Sequence, residues 1–289
     1  MNVVTIRKYW YALSGIAVVL SIFAFMTWGL KLGIEFTGGS LVEYSMANSP
    51  ISSEVVAAAK TVGVDAGIVT TERGVILRTA ELDSTKHAAL TAAIKKQWTD
   101  SNEVRFETVG PSISAELRSK ALWAVFFTLL LICLYIAWAF RKVSGRIEAW
   151  KYGVLVVLAG VHDAIIPIGV FAVLGHYTNL EVTGAFVAAI LTILGYSIND
   201  TIVVFDRVRE NMTKTSGTVA EIVDVSIRQT AVRSINTSMT VILSLVAIFL
   251  FGGDSTKSFA LALIIGAASG TYSSIFLATP LIVDWQKKR

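Results

Sequence analysis

Six stretches of this 289-residue chain, at 9–30, 121–140, 152–174, 182–205, 235–251 and 258–283, are apolar over close to the span of a bilayer. A helix needs about 20 such residues to cross the hydrocarbon core. In lipid the backbone must satisfy its own hydrogen bonds, so stretches of this kind have almost no alternative to helix. Charge agrees with that reading. Charged residues make up 16% of the chain, and 21 of the 46 fall in the single window 31–120, whereas an ordinary globular domain carries about 25%. The sequence therefore predicts a polytopic α-helical membrane protein with six transmembrane helices and one polar domain between helices 1 and 2. Arg7 and Lys8 precede the first stretch as in a signal peptide. Its apolar core is longer than the usual h-region, however, and Trp28–Lys31 offers no small-residue cleavage site, so a retained helix is expected.

The net charge of +4 divides into −1 for the polar window and +5 for the rest, which is an orientation signal and not a nucleic-acid surface. Arg141, Lys142, Arg146 and Lys151 lie between stretches 3 and 2, Arg207, Arg209, Lys214, Arg228 and Arg233 lie between 4 and 5, and Lys287, Lys288 and Arg289 end the chain. The connections after stretches 3 and 5 hold only Lys257. Positive charge stays inside, so both termini are expected in the cytoplasm and residues 31–120 outside. The expected domains are 1–32, the N-terminus and first helix; 33–118, extracytoplasmic; and 119–289, the remaining five helices with a cytoplasmic connection between helices 4 and 5. Cys133 is the only cysteine, which excludes an internal disulfide and a cysteine-based metal cluster.

In the polar window, 34–46 alternates and ends before Pro50, 51–62 has helical periodicity, 66–71 and 74–80 flank a Glu72-Arg73 turn, 82–98 is helical and 103–109 alternates again. This βαββαβ order predicts an α+β ferredoxin-like domain. It carries no evident catalytic set. Its one histidine, His87, sits on a polar helix with Lys86 and Lys95 and is expected to be solvated. Glycine-bearing segments border it: Gly33-Ile-Glu-Phe-Thr-Gly38-Gly39-Ser40 on one side and Val109-Gly110-Pro111 on the other. Gly38-Gly39 lacks the pattern of a phosphate loop and reads as a bend or a close backbone approach. Such junctions are where a rigid domain pivots against a membrane.

Ionisable groups inside the apolar stretches carry the chemistry. His162 and Asp163 lie midway along stretch 3, with Pro167 one turn on. An aspartate at a helix centre costs roughly 2.5–3.5 kcal/mol to insert on translocon scales, and marks either a pathway or a structural hydrogen-bond site. Stretch 4 closes with Tyr196, Asn199 and Asp200. Tyr196, Asp200 and Val204 share a helix face, and Asp200 is about 9 Å inside the interface marked by Asp206 and Arg207. A carboxylate so placed either binds and releases a proton or pairs with a neighbouring helix. Arg233, Asn236, Thr237 and Thr240 form a stripe at the start of stretch 5 that either reaches Asp200 or anchors the interface. Gly266 and Gly270 form a G-x-x-x-G pair suited to close packing. Thr218-Val-Ala-Glu221 is a capping box, expected to open a cytoplasmic surface helix. No Walker A, kinase loop or H-E-x-x-H is present.

Together, Gly33–Ser40, Val109–Pro111, His162-Asp163 and above all Gly195-Tyr-Ser-Ile-Asn-Asp-Thr-Ile-Val-Val-Phe-Asp-Arg-Val-Arg-Glu-Asn211 resemble the motifs of the SecF family of bacterial protein-export membrane proteins, part of the resistance-nodulation-division (RND) superfamily. The resemblance covers nearly the whole chain. It implies half of an RND-type bundle that pairs with a SecD-like membrane subunit, associates with the SecYEG translocon and YajC, and uses proton flow to complete preprotein export. No cofactor is implied beyond the proton as coupling ion, and no enzyme activity. By position Asp200 matches the family's proton-transfer aspartate and Arg233 the arginine that answers it, with Asp163, His162, Asn199 and Tyr196 beside them; Gly33, Gly38, Gly39, Gly110 and Pro111 fall at the hinges. Two departures stand out: Glu35 where many members have aspartate, and Ser114 where glycine is common. Two rival readings are a proton-coupled RND exporter of lipids or small molecules acting as a homodimer, and a passive assembly factor that moves no protons.

Overall fold

The computed structural model describes residues 2–46, 51–71, 74–141, 148–178 and 180–286, the side chains at 71, 254 and 255 excepted. In chain order the elements are α1 (Arg7–Trp28), α2 (Ile34–Thr37), β1 (Gly39–Ser45), α3 (Ser52–Thr61), β2 (Ala66–Thr71), β3 (Gly74–Thr79), α4 (Ser84–Gln97), β4 (Asn102–Val109), α5 (Pro111–Ala139), α6 (Ala149–Thr178), α7 (Gly184–Lys214), α8 (Val219–Phe251), α9 (Asp254–Ser273), a π-helical turn (Ser274–Ala278) and α10 (Thr279–Asp284). They group into two compact units, 32–121 and 1–31 with 122–289. The predicted Glu72-Arg73 turn, the break at Pro50 and the charges Lys142, Arg146, Lys287, Lys288 and Arg289 lie outside the described residues.

Among the described residues six helical segments are long and apolar enough to cross a membrane: α1, α5, α6, α7, α8 and the run Thr256–Asp284. The protein is thus a multi-pass membrane protein. Within its unit α6 is packed by α1, α7 and α9, and α7 and α9 pack on each other and on α8. Pro167 sits inside it without ending it. The glycines of the G-x-x-x-G pair set the α7–α9 distance: a Cβ on Gly266 would strike Ile193, and one on Gly270 would strike Ser197. Without a hydrophobic force between helices in lipid, such small-residue seams are what permit close van der Waals packing. Cys133 lies beside Gly153 in the same way, its backbone carbonyl and Sγ both against the position of a Cβ.

Two helices extend beyond the predicted stretches. The capping box forms as expected, with Glu221 N donating to Thr218 Oγ1 and Thr218 N donating to Glu221 Oε2 at 2.9 Å. The helix it opens is not a separate surface helix, however. It is α8 itself, which continues unbroken into the fifth span because Ile222, Val223, Ile227 and Thr230 already bury a continuous face. Similarly, α5 starts at Pro111, whose fixed φ suits a first helical position, ten residues before the apolar stretch begins.

The unit 32–121, named the outer unit for the side that the charge pattern predicts, is an antiparallel sheet in the order β2-β3-β1-β4, the ferredoxin-like arrangement expected from the βαββαβ order. Alternation puts Val42 and Tyr44 of β1 and Val75 and Leu77 of β3 on the face covered by Val55 and Ala59 of α3 and Leu90 and Ile94 of α4. Asp83 caps α4, accepting from Lys86 N at 2.8 Å. Two expectations need correcting here. Residues 34–37 form a helical turn instead of the start of β1, since Phe36 N and Thr37 N both donate to the Gly33 carbonyl. His87 is not simply solvated: its Nε2 lies 3.0 Å from Glu103 Oε2 and its ring stacks on Phe106 at 3.9 Å.

Candidate functional site

The interior of the helical unit sets polar groups among apolar ones such as Phe171, Leu194 and Phe205. Asp163 on α6 is 0% exposed, and its carboxylate meets four side-chain groups. Oδ1 accepts from Ser269 Oγ at 2.8 Å and lies 2.8 Å from His162 Nδ1; Oδ2 accepts from Ser273 Oγ at 2.6 Å and from Ser197 Oγ. One serine comes from α7 and two, at i and i+4, from α9. A carboxylate has about four lone-pair sites, so this one is filled. His162 is also buried, its Nε2 without a hydrogen-bond partner and its ring stacked 6.3 Å from that of Tyr272.

Asp200 is different. It lies on α7, 8% exposed, and its buried Oδ2 makes no hydrogen bond. The hydroxyls of Ser234 on α8 and Ser274 at the start of the π turn approach the carboxylate, and Asp163 is near enough to act on it electrostatically. Ser274 is itself committed: its Oγ donates to the Gly270 carbonyl at 2.8 Å and lies 2.8 Å from Thr201 Oγ1. Thr201 in turn bonds the Ser197 carbonyl at 3.1 Å. A chain of hydroxyl and backbone contacts therefore runs from the Asp163 site to the side of Asp200.

The other predicted residues divide. Tyr196 is half-buried and donates to Ser238 Oγ at 3.1 Å. Asn199 points away from the interior and is exposed. Arg233 is exposed as well and does not reach Asp200; the α8 residue on that side is Ser234, one position further. Arg233 instead lines a cavity with Val203, Asp206, Arg207, Glu210, Gln229 and Thr230. Ser197, Thr201, Ser234, Ser269, Ser273 and Ser274 were not singled out from the sequence. The signal available was the small-residue run around Gly266 and Gly270, where Ser269 and Ser273 repeat at helical spacing.

In the outer unit the junction residues have distinct local reasons. Gly38 and Gly39 have φ of 76° and 113°, values that favour glycine, and a Cβ on Gly39 would strike the Thr79 carbonyl. Gly33 supplies the carbonyl that closes α2, Gly110 lies beside the Glu81 carboxylate and Pro111 opens α5. Ser114 is helical within α5 and donates to the Pro111 carbonyl at 3.0 Å, so no positive φ is asked of it. Glu35 stands among cations. The Arg105 guanidinium, hydrogen-bonded to Glu107 at 2.7 Å, titrates above its ordinary value, while burial pulls Arg78 below its own with Glu35 opposing.

A helical membrane unit that buries Asp163, saturated by donors, and Asp200, with a free oxygen, among its carboxylates, joined to a ferredoxin-like unit, defines a polytopic membrane protein built to hold ionisable groups away from lipid. The comparisons with known proteins narrow that class. Residues 89–288 match the family described as protein export membrane protein SecD/SecF, C-terminal, and residues 23–49 match the SecD/SecF GG motif. The protein translocase subunit SecF of Thermobaculum terrenum is 38% identical, covering 100% of this chain and 95% of its own, and that of Desulfurispirillum indicum is 35% identical, covering 98% and 91%. The crystal structure of SecDF, a translocon-associated membrane protein from Thermus thermophilus, superposes with a TM-score of 0.87 at 34% identity, covering 99% of this chain and 38% of that one. The chain belongs to the SecD/SecF family of protein-export membrane proteins.

Proposed function

We propose that this chain is the SecF-like half of a complex with a SecD-like subunit, and that proton movement through Asp200 drives the complex in completing preprotein export at the SecYEG translocon, with YajC as a further associate. The observation that carries the reading is the pair of states available to Asp200: it is buried inside a membrane helix, yet one oxygen is left without a partner. An ionisable group is retained at such a place when its protonation does something. A proton crossing about 100 mV releases roughly 2.3 kcal/mol, enough to bias a packing equilibrium of a few kcal/mol. The outer domain, turning about the segments 33–40 and 109–117, is the element that would hold or pull an emerging polypeptide.

The need for a second half rests on polar groups that face outward. Thr192 and Asn199 of α7 and Arg233, Asn236, Thr237 and Thr240 of α8 are all exposed. The threonines bond carbonyls of their own helices, but Asn199, Arg233 and Asn236 facing lipid would be costly, whereas a companion bundle of similar make would cover them. In this reading both termini are cytoplasmic and residues 31–120 lie outside the cytoplasmic membrane. The test is export into membrane vesicles after ATP depletion under an imposed proton gradient, comparing the native chain with Asp200→Asn at matched levels of protein and partner. Gradient-dependent completion that disappears in Asp200→Asn is expected. Equal completion in both would remove proton-driven export through Asp200 and favour an assembly role.

A further inference from the structure

We propose that Asp163 is a positioning residue, fixed by four side chains and acting through Ser197, Thr201 and Ser274 to set the geometry of Asp200, which alone takes up and releases the proton. This rests on the reading of Asp200 as proton carrier and divides the labour between two carboxylates that the sequence places in one pathway.

The argument starts from hydrogen-bond capacity. A group that exchanges a proton must give up or gain a partner in each cycle. Asp163 has nothing to spare: both oxygens are occupied twice, by serines and by the imidazole Nδ1. Its partners come from α6, α7 and α9, the three most buried helices of the unit, so a change at Asp163 disturbs all three seams together. A buried network is worth most when its members are satisfied; here the lone pairs of the carboxylate are all taken, while His162 Nε2 at the edge of the network has no partner. Asp200 has the opposite arrangement. Its Oδ2 is buried and unpartnered, and so is Ser234 Oγ on the neighbouring helix. Such a pair makes or breaks a bond with a small rotation and no disturbance of the rest of the core.

The link between the two is local and specific. Ser197 donates to Asp163 through its hydroxyl and accepts from Thr201 through its carbonyl. Thr201 Oγ1 lies 2.8 Å from Ser274 Oγ, and Ser274 stands beside Asp200. The backbone adds an independent observation at the same point: the helix becomes π-helical at Ser274–Ala278, with Thr279 Oγ1 donating to the Ser274 carbonyl at 2.6 Å. π-turns of this length are uncommon and recur at functional sites. Ser273 and Ser274 are neighbours about 100° apart around the helix, so successive hydroxyls serve different carboxylates, and the π turn starts at the second of them. The groups facing Asp163 are His162, Ser197, Ser269 and Ser273. Those facing Asp200 are Ser234, Ser274 and the charge of Asp163 itself, with Arg233 turned outward.

The experiment uses the complex with the SecD-like partner in lipid and follows the infrared band of protonated carboxyl groups against pH, a readout that does not depend on export. Asp200→Asn should abolish the titrating band. Asp163→Asn should keep it but displace its midpoint by about one pH unit, a tenfold change in proton affinity. Ser273→Ala removes one of Asp163's donors while sparing Asp163 itself. It should displace the midpoint in a folded complex, and Ser273→Thr should restore it. A band lost in Asp163→Asn and retained in Asp200→Asn would reverse the assignment. Ser273→Ala and Asp163→Asn titrations that superimpose on the native curve would remove the positioning role, and a native complex with no titrating band would overturn Asp200 as carrier. Loss of export with the infrared pattern intact would count against the function proposed above and leave this division of roles standing.

Discussion

Both units of this protein bury apolar side chains, but among the described residues only the helical one also buries carboxylates and leaves a large apolar surface exposed. The outer unit buries Val42, Val75, Leu77, Leu90 and Ile94, whereas the helical unit buries Asp163, Asp200, Ser197, Ser273 and Ser274 and exposes Leu20, Phe23, Leu122, Phe126 and Phe251. The difference follows from solvent. In water, apolar area is driven inward at about 25 cal/mol per Å²; lipid supplies no such force between helices, which are held by small-residue packing and polar contacts. A core chosen by water is chemically inert. One assembled in lipid can place ionisable groups at its centre, and this protein does so.

The sharpest contrast is one leucine in each environment. Leu90→Ala leaves a cavity in the outer core and should cost about 2–5 kcal/mol, read as a fall in the protease resistance of residues 32–121 in the full chain. Leu122→Ala on the exposed face of α5 should change the resistance of the helical unit by less than about 0.5 kcal/mol. Equal effects would break the comparison. Next in size, Gln229→Pro tests whether α8 is one helix. Proline inside a helix costs about 3 kcal/mol, so the complex should lose stability in detergent. A tolerated proline would restore the separate surface helix that the capping box first suggested. Gly270→Leu should follow at about 1–3 kcal/mol, because its side chain would enter the space held by Ser197; the check is a lower thermal midpoint together with altered titration of the carboxyl band.

Where the sequence was readable, periodicity and length carried the information. The six apolar stretches were long, the alternation in β1 and β3 was regular, and the capping box and G-x-x-x-G were local patterns, so all are found where they were expected. The turn at 34–37 was missed because Ile34-Glu-Phe-Thr alternates as a strand does, and only the hydrogen bonds to the Gly33 carbonyl reveal its curl. Arg233 and Ser234 illustrate a second limit. Adjacent helix positions differ by about 100°, so a small error in rotation exchanges the residue facing Asp200 for its neighbour. The serine ring around Asp163 left only the four-residue spacing of Ser269 and Ser273 as a mark, an ambiguous one since isolated hydroxyls in an apolar helix satisfy their own backbone equally well.

A smaller effect probes the outer core by titration. Burial pushes the Tyr44 phenol up to about 12 from an ordinary value of 10, although its hydroxyl lies 2.9 Å from Thr91 Oγ1. Between those two values the unfolded chain has lost the proton and the folded chain keeps it, so stability falls as pH rises through that window. The loss should be at most about 2.7 kcal/mol. Protease resistance of the outer unit measured from pH 9 to 12, with Tyr44→Phe as the reference, isolates it. Identical curves for native and variant would mean that the hydroxyl is wetter than its burial implies.

The smallest effect separates the scaffold from the site along a single helix. Thr218→Ala removes the side-chain acceptor of the α8 capping box, worth about 1 kcal/mol. The cap lies roughly 24 Å along the helix from Ser234, at 1.5 Å per residue. Between them Ile222, Val223, Ile227 and Thr230 are buried and keep the helix docked when its first turn frays. Thr218→Ala should therefore lower the thermal midpoint slightly while the carboxyl titration and the gradient dependence of export stay native. A cap variant that moved the titration would mean that α8 transmits the state of its capped end to Ser234 as a rigid rod, and Asp200 would then be answering to events at that end of the helix as well as to its own polar surroundings.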